Sequence, residues 1–370
     1  MKKSLITTAV AAGLLAAGAA QAGDPTVYGI VSLSVQKYAD NHCTAAAGGV
    51  CTGTVLKSDE LNMTSQTSAI GVKGVEDLGD GMKALYKLEF QVDVAGNSTL
   101  ANRDQWVGLK GGYGTVKFGT MSTNYKETGG KIDPLYRTEA EGRGILNMQS
   151  AFFHGGQGVN RGRENNTVQY DSPKLGGMQL VANYTMSGAG GGNTGFDETI
   201  GLGLRYETRD IYAFFDYIEP GYQTTTGGAS KESAYKIGGK YSADKFSVAL
   251  QYEAVEDFCK NQSATDGVSL ATGGAYGGQG GNLCGDYIFA AGTYNIDSNN
   301  VVALTLGQQD NVSSAYALAY VHMLSKMTNV YIGYASVSED STGSYTLGVN
   351  ETGAPQDTGS VITAGLRKKF

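Results

Sequence analysis

Nothing after the first two dozen residues of this 370-residue chain offers the ~18 consecutive apolar residues of a membrane helix. Instead, short segments alternate apolar and polar side chains. From Lys83 to Val94, Lys83, Leu85, Lys87, Glu89, Gln91 and Asp93 fall on one face of a strand. Ala84, Tyr86, Leu88, Phe90, Val92 and Val94 fall on the other. In a soluble sandwich the apolar face packs on a core; in a membrane barrel it meets lipid and the polar face lines a lumen. One such strand fits both.

The connections distinguish the two, because long and short ones alternate. Long ones fall near residues 38–65, 96–101, 121–163, 188–197, 220–231, 256–285, 309–312 and 338–357, and short ones near Leu78, Gly112, Pro173, Arg209, Ala243, Ser298 and Leu324. Fifteen connections join sixteen strands, an even number with short turns at one end and long loops at the other. Closure satisfies every backbone group where no water is available, which an open sheet in lipid could not do. The 55 glycines, 23 tyrosines and five prolines suit an all-β chain, and Tyr170, Tyr206, Tyr217, Tyr252, Tyr294 and Tyr334, near strand ends, suit interfacial girdles. The predicted fold is an all-β, 16-stranded antiparallel transmembrane β-barrel.

Residues 1–22 read as a secretory signal peptide: Lys2 and Lys3, an apolar run from Leu5 to about Ala19, then Ala20-Gln21-Ala22. Residues 23–370 form the barrel domain. Without the leader, 26 basic residues face 35 acidic ones, a charge near −9 that argues against a nucleic-acid partner. Cys43 pairs in sequence with Cys51, and Cys259 with Cys284, each pair within one predicted loop of an exported chain. Disulfides inside each loop are favoured among the three possible connectivities. Neither pair has zinc-ligand spacing and the three histidines are scattered, so no metal or cofactor is expected.

The long connection at 121–163 lies between strands around Thr115–Gly119 and Asn166–Tyr170, and about forty residues without a clear period call for a function. It is expected to fold inward, as the third exterior loop, and narrow the lumen. Its charges are Asp133, Arg137, Glu139, Glu141 and Arg143; the polar strand faces supply Lys73, Lys83, Lys87, Arg103 and Lys117. Placing those cations toward lipid costs roughly 2–4 kcal/mol each near the midplane, so they belong in the lumen. Cations on one wall facing loop carboxylates would set a transverse field at the narrowest section. The bland alternatives are solvated wall charge, and loop carboxylates paired with Arg137 and Arg143. Hydrolase chemistry is not expected, since His42, His154 and His322 fall in or beside connections and no serine stands out with a histidine and an acid. Gly111-Gly112-Tyr113-Gly114 lacks the Lys-Ser or Lys-Thr ending of a phosphate loop and reads as a hairpin turn.

Several stretches resemble the general trimeric porins of the neisserial and related beta-proteobacterial type. They are Val27-Tyr28-Gly29, then Gly71 to Gly79 with Gly81-Met82-Lys83-Ala84, Arg103 to Lys110 leading to Tyr113 to Gly119, Asn166 to Pro173, and Gly365 to Phe370. The resemblance implies a homotrimer in the outer membrane, in contact with lipid and lipopolysaccharide, passing ions and small hydrophilic solutes by diffusion. It also implies that Phe370 is the terminal aromatic read by the barrel assembly machinery. Ala69 stands where the family often carries arginine, which weakens transfer of the family's basic cluster. The strand cations point to a weak anion preference. The alternatives are a substrate-specific channel and, third, an adhesive or structural barrel.

Overall fold

A computed structural model describes residues 25–39, 41–43, 46–47, 50–51, 55–56, 58, 60–96, 100–143, 146, 148–150, 154, 162–186, 198–219, 233–256, 286–310, 313–339, 347–349 and 358–370. The leader and the cysteine pairings fall outside this description: Cys259 and Cys284 are not among these residues, nor are the side chains of Cys43 and Cys51.

Sixteen barrel strands run in chain order. They are β1 Thr26–Tyr38, β2 Asn62–Ser65 continued by Ala69–Gly79, β3 Met82–Gln91, β4 Ala101–Gly111, β5 Gly114–Ser122, β6 Arg163–Asp171, β7 Met178–Thr185 and β8 Thr199–Glu207. The second half comprises β9 Ile211–Glu219, β10 Ser233–Ser242, β11 Phe246–Glu256, β12 Tyr287–Asn295, β13 Asn300–Gln309, β14 Ser313–Ser325, β15 Thr328–Glu339 and β16 Thr358–Lys369. Each pairs antiparallel with its successor, and β16 returns to β1 in the register Ile30↔Lys369 to Tyr38↔Val361. The ring is closed and no barrel strand is left as an edge.

Alternation decides the orientation of the faces. Leu250, Val107, Ile332 and Leu318 are 50–61% exposed, whereas Asp216, Lys236, Gln251, Glu253, Thr305 and Thr363 have no exposed surface. Apolar side chains therefore face out and polar ones in, the reverse of a soluble sandwich and the arrangement for lipid.

Local chemistry explains the interruptions. The β2–β3 hairpin turns at Asp80-Gly81, with φ of 51° and 76° at the two residues, the left-handed pair that Asp-Gly sequences supply. Between the halves of β2, Thr67 has φ 55°. There Ser68 Oγ replaces lost ladder bonds, accepting from Ser32 N at 2.9 Å and donating to Ser32 O at 3.1 Å. A bulge in β4 opposite Leu88–Phe90 disturbs the strict alternation around Arg103 and Asp104.

Candidate functional site

Thr123 follows β5 and caps a helix, α1, over Asn124–Ile132; its hydroxyl accepts from Lys126 N at 3.3 Å. The sequence conceals this helix. Gly129 and Gly130 weaken it, and its buried side, Asn124, Tyr125, Thr128, Gly129 and Ile132, is mostly polar or small. A polar stripe is what a lumen wall requires. Asn124 Nδ2 donates to Asp216 Oδ1 and to Leu202 O, both at 2.8 Å, and Thr128 Oγ1 donates to Asp216 Oδ2 at 2.7 Å. Tyr125 OH donates to Glu253 Oε1 at 2.9 Å. Arg205 completes the attachment, bridging Asp216 at 2.8 Å and donating to Asn124 O at 2.9 Å.

Asp216, Lys236, Glu253, Tyr287 and Gln309 face one another in a single transverse row across β9 to β13. All five are fully buried beneath the segment that follows β5. Beyond α1 that segment is apolar where it meets small wall residues. Ile132, Leu135, Ala140, Leu146 and Met148 cluster with Phe289, Ala303, Ala315, Ala317 and Ala335. The fit is close: a Cβ on wall residue Gly307 would lie 2.3 Å from Met148 Cβ, and one on Gly142 would lie 2.8 Å from the Phe289 ring.

The opposite wall keeps more solvent contact. Arg103 bridges Glu89 at 2.5 Å, Lys87 bridges Asp104 at 2.8 Å and Glu89 at 3.3 Å, Arg163 bridges Asp104 at 2.7 Å, and Lys117 bridges Asp171 at 2.9 Å. Tyr28 OH also donates to Glu89. Lys117 lies 5.6 Å from the Trp106 ring centroid and Lys73 5.1 Å from that of Tyr28. Lys73 is exposed and opposite Lys87, while Lys83 sits beside the Asp80-Gly81 turn, opposite Asp77 and Lys110. The ion-pair partners of Lys87, Arg103 and Lys117 are thus carboxylates of the wall itself.

The loop carboxylates have partners, within the loop for Asp133 and Glu141 and on the barrel wall for Glu139. Asp133 accepts from the Leu135 and Gly142 amides at 2.8 Å each, and burial pushes its carboxyl up to about 6 against those bonds. Glu139 accepts from Tyr38 OH at 2.9 Å and Gln66 Nε2 at 2.5 Å; burial raises it too. Glu141 accepts from Arg137 N at 2.7 Å and lies 3.9 Å from Arg143. Tyr136 has the Arg143 guanidinium 4.4 Å and the Arg137 guanidinium 5.4 Å from its ring centroid. Burial opposes ionisation of its phenol, but Arg143 and Arg137 outweigh burial and bring it down to about 8. Lys126 is held well below the usual lysine range by burial, then by Arg143, Arg163 and Arg103. Arg137 in turn acts on both Arg103 and Arg367. Cations from loop and wall therefore converge.

Sequence reasoning missed Glu89, Asp104, Arg163, Arg205, Asp216, Lys236, Glu253 and Arg367. Strand parity alone would have flagged Asp216, Lys236 and Glu253 as lumen-facing charges at mid-strand.

A closed barrel with an apolar exterior and a polar, charged interior defines a transmembrane β-barrel channel. The chain matches the Gram-negative porin family over residues 7–342 and belongs to it. It is 28% identical to the major outer membrane protein P.IB of Neisseria lactamica over the full length of both chains. It is 33% identical to the P.IB protein of Neisseria gonorrhoeae over 58% of this chain and 56% of that one. Among solved structures it resembles the anion-selective porin from Comamonas acidovorans, with TM-score 0.68, 20% identity, and coverage of 94% of this chain and 99% of that one. It also resembles the trimer form of OmpT from Vibrio cholerae, with TM-score 0.59, 14% identity, and coverage of 95% and 100%. The protein is an outer-membrane porin, and its relatives are channels rather than enzymes.

Proposed function

We propose that this porin is a homotrimer whose water-filled barrels pass ions and small hydrophilic solutes by diffusion, with a weak preference for anions. The segment 121–163 turns inward and narrows each lumen. The narrow section lies between that segment, carrying Arg137, Glu139, Glu141 and Arg143, and the wall carrying Lys87 and Arg103. One observation carries the anion preference: Arg137 of the segment, beside Arg143 against the Tyr136 ring, acts electrostatically on Arg103 and Arg367 of the wall. Asp133 and Glu139, meanwhile, are held by neutral donors, two loop amides for the one and Tyr38 and Gln66 of the wall for the other. In a narrow, low-dielectric section such a surplus of guanidinium groups attracts anions although the whole chain carries −7. The anion selectivity of the Comamonas neighbour agrees with this reading, as does the trimer form of the Vibrio neighbour with the assembly.

Planar-bilayer recording tests it. Purified protein should insert with stepwise conductance, in threes, and its zero-current potential in a potassium chloride gradient should carry the sign of chloride preference. Folded protein that conducts nothing defeats the channel, and a cation-selective potential defeats the anion preference.

A further inference from the structure

The transverse row under α1 contains a lysine with an unusual task. Lys236 Nζ is fully buried, donates to the Tyr125 carbonyl in the first turn of α1, and lies 3.3 Å from His154 Nε2 and 4.2 Å from the Tyr125 ring centroid. Asp216 and Glu253 flank it directly across the ladder. His154 Nε2 is also 3.6 Å from Glu253 Oε2, and Glu253 further accepts from Tyr125 OH and Ser150 N. Its nearest partners, Tyr125 and His154, belong to the segment, and the Phe214 ring of the wall lies 5.8 Å away.

The charges in this pocket balance only when Lys236 is counted. Asp216 has Arg205 as its bridge, at 2.8 Å. Glu253 has Lys236 as the neighbouring cation of the wall, while His154, which can accept from Lys236 only as a neutral ring, adds none. Without the ammonium, the Glu253 carboxylate remains buried with neutral donors, a state that favours water entry between α1 and the wall.

We propose that Lys236 is the positioning residue of this channel: its ammonium, between Asp216, Glu253 and His154, fixes α1 on the wall and so keeps the pore at one width. The inference rests on the reading that segment 121–163 narrows the lumen. It adds that the width is set from the wall where no solute passes.

The test uses full-length trimers, recorded in planar bilayers and, in the same preparations, followed by amide exchange across residues 124–132. Lys236→Met removes the charge while keeping the length. It should alter the unit conductance, raise open-channel noise and quicken exchange over α1 by roughly tenfold or more, with the barrel strands unchanged. Lys236→Met combined with Glu253→Gln restores the balance of charge and should return all three most of the way, and Lys236→Arg should stay near the parent. A Lys236→Met protein that matches the parent in both current and exchange overturns the proposal. So does a double variant as disturbed as the single one, since packing would then hold the helix rather than charge. If Lys236→Met gives no folded barrel, recovery of folding in the double variant supports the same charge dependence, and failure of both overturns it. Faster exchange with an unchanged current leaves Lys236 holding the segment and overturns the narrowing role on which the permeation claim rests.

Discussion

The two walls of this barrel obey the same alternation and differ in how far water reaches their charges. Across β9 to β11, Asp216, Lys236 and Glu253 lie beneath α1 with no exposed surface. Across β3 and β4, the Lys87 and Asp104 side chains keep 22% and 16% of theirs. Strand sequence dictates that a charge faces inward; whether it then acts on a permeating ion depends on what lies over it. Charges on the covered wall are structural because water has been replaced by a helix; on the other wall Lys87 and Asp104 keep contact with solvent, while Glu89, Arg103 and Arg163 are buried in their own ion pairs.

The sharpest way to break this contrast is by stability. Asp216→Ala removes the partner of Arg205 and two bonds to α1, and should cost about 3–5 kcal/mol in denaturant unfolding of the detergent-solubilised barrel. Asp104→Ala on the other wall leaves Lys87 with access to water and with Glu89 as a second carboxylate, and should cost less, about 1–3 kcal/mol. Equal losses would show that the walls do not differ in solvation. Next in size is Gly307→Leu, which drives a side chain into Met148 and should cost about 1–3 kcal/mol and change the unit conductance.

Selectivity sharpens the contrast from the other side. Arg103→Glu should move the zero-current potential toward cations, and Lys83→Glu, beside a turn, should move it less. The smallest effect is a pH step. The Tyr136 phenol is depressed to about 8 from an ordinary value near 10, so raising the pH through about 8 places a phenolate between Arg137 and Arg143. Anion preference should fall across that step, and Tyr136→Phe should abolish it. By linkage the depressed phenol contributes stability above its unfolded value, which is lost as pH falls through about 8. For Asp133, raised to about 6, the sign is opposite: its contribution is present below the unfolded value and lost as pH rises through about 6.

The barrel was legible in the sequence because its two signals, side-chain alternation and alternating connection length, are both local along the chain. The observed strands fall between the predicted connections, and the turn expected near Leu78 closes two residues later at Asp80-Gly81. The site was legible only in part. Lys87 and Arg103 could be placed on the lumen face by parity, but their partners Asp104 and Glu89 come together through a bulge that no period predicts. Helix α1 lacks an apolar stripe because the surface receiving it is polar, so the pattern that normally betrays a helix is absent. The attachment of Asn124 and Thr128 to Asp216 spans some ninety residues and is visible only in three dimensions.

The closing seam has a kinetic consequence. Gly29 and Phe370 exchange both of their backbone hydrogen bonds, at 3.0 and 3.1 Å, and a Cβ on Gly29 would lie 2.5 Å from the Phe370 ring. These residues stand more than three hundred positions apart in the chain. Neighbouring hairpins can form early, but the β1–β16 seam is a long-range contact of the kind that folds slowly. Until it forms, β1 presents a row of unpaired amides and carbonyls to any strand nearby. The time this chain spends as an open sheet, rather than the stability of the finished ring, is therefore where mispairing between copies would arise.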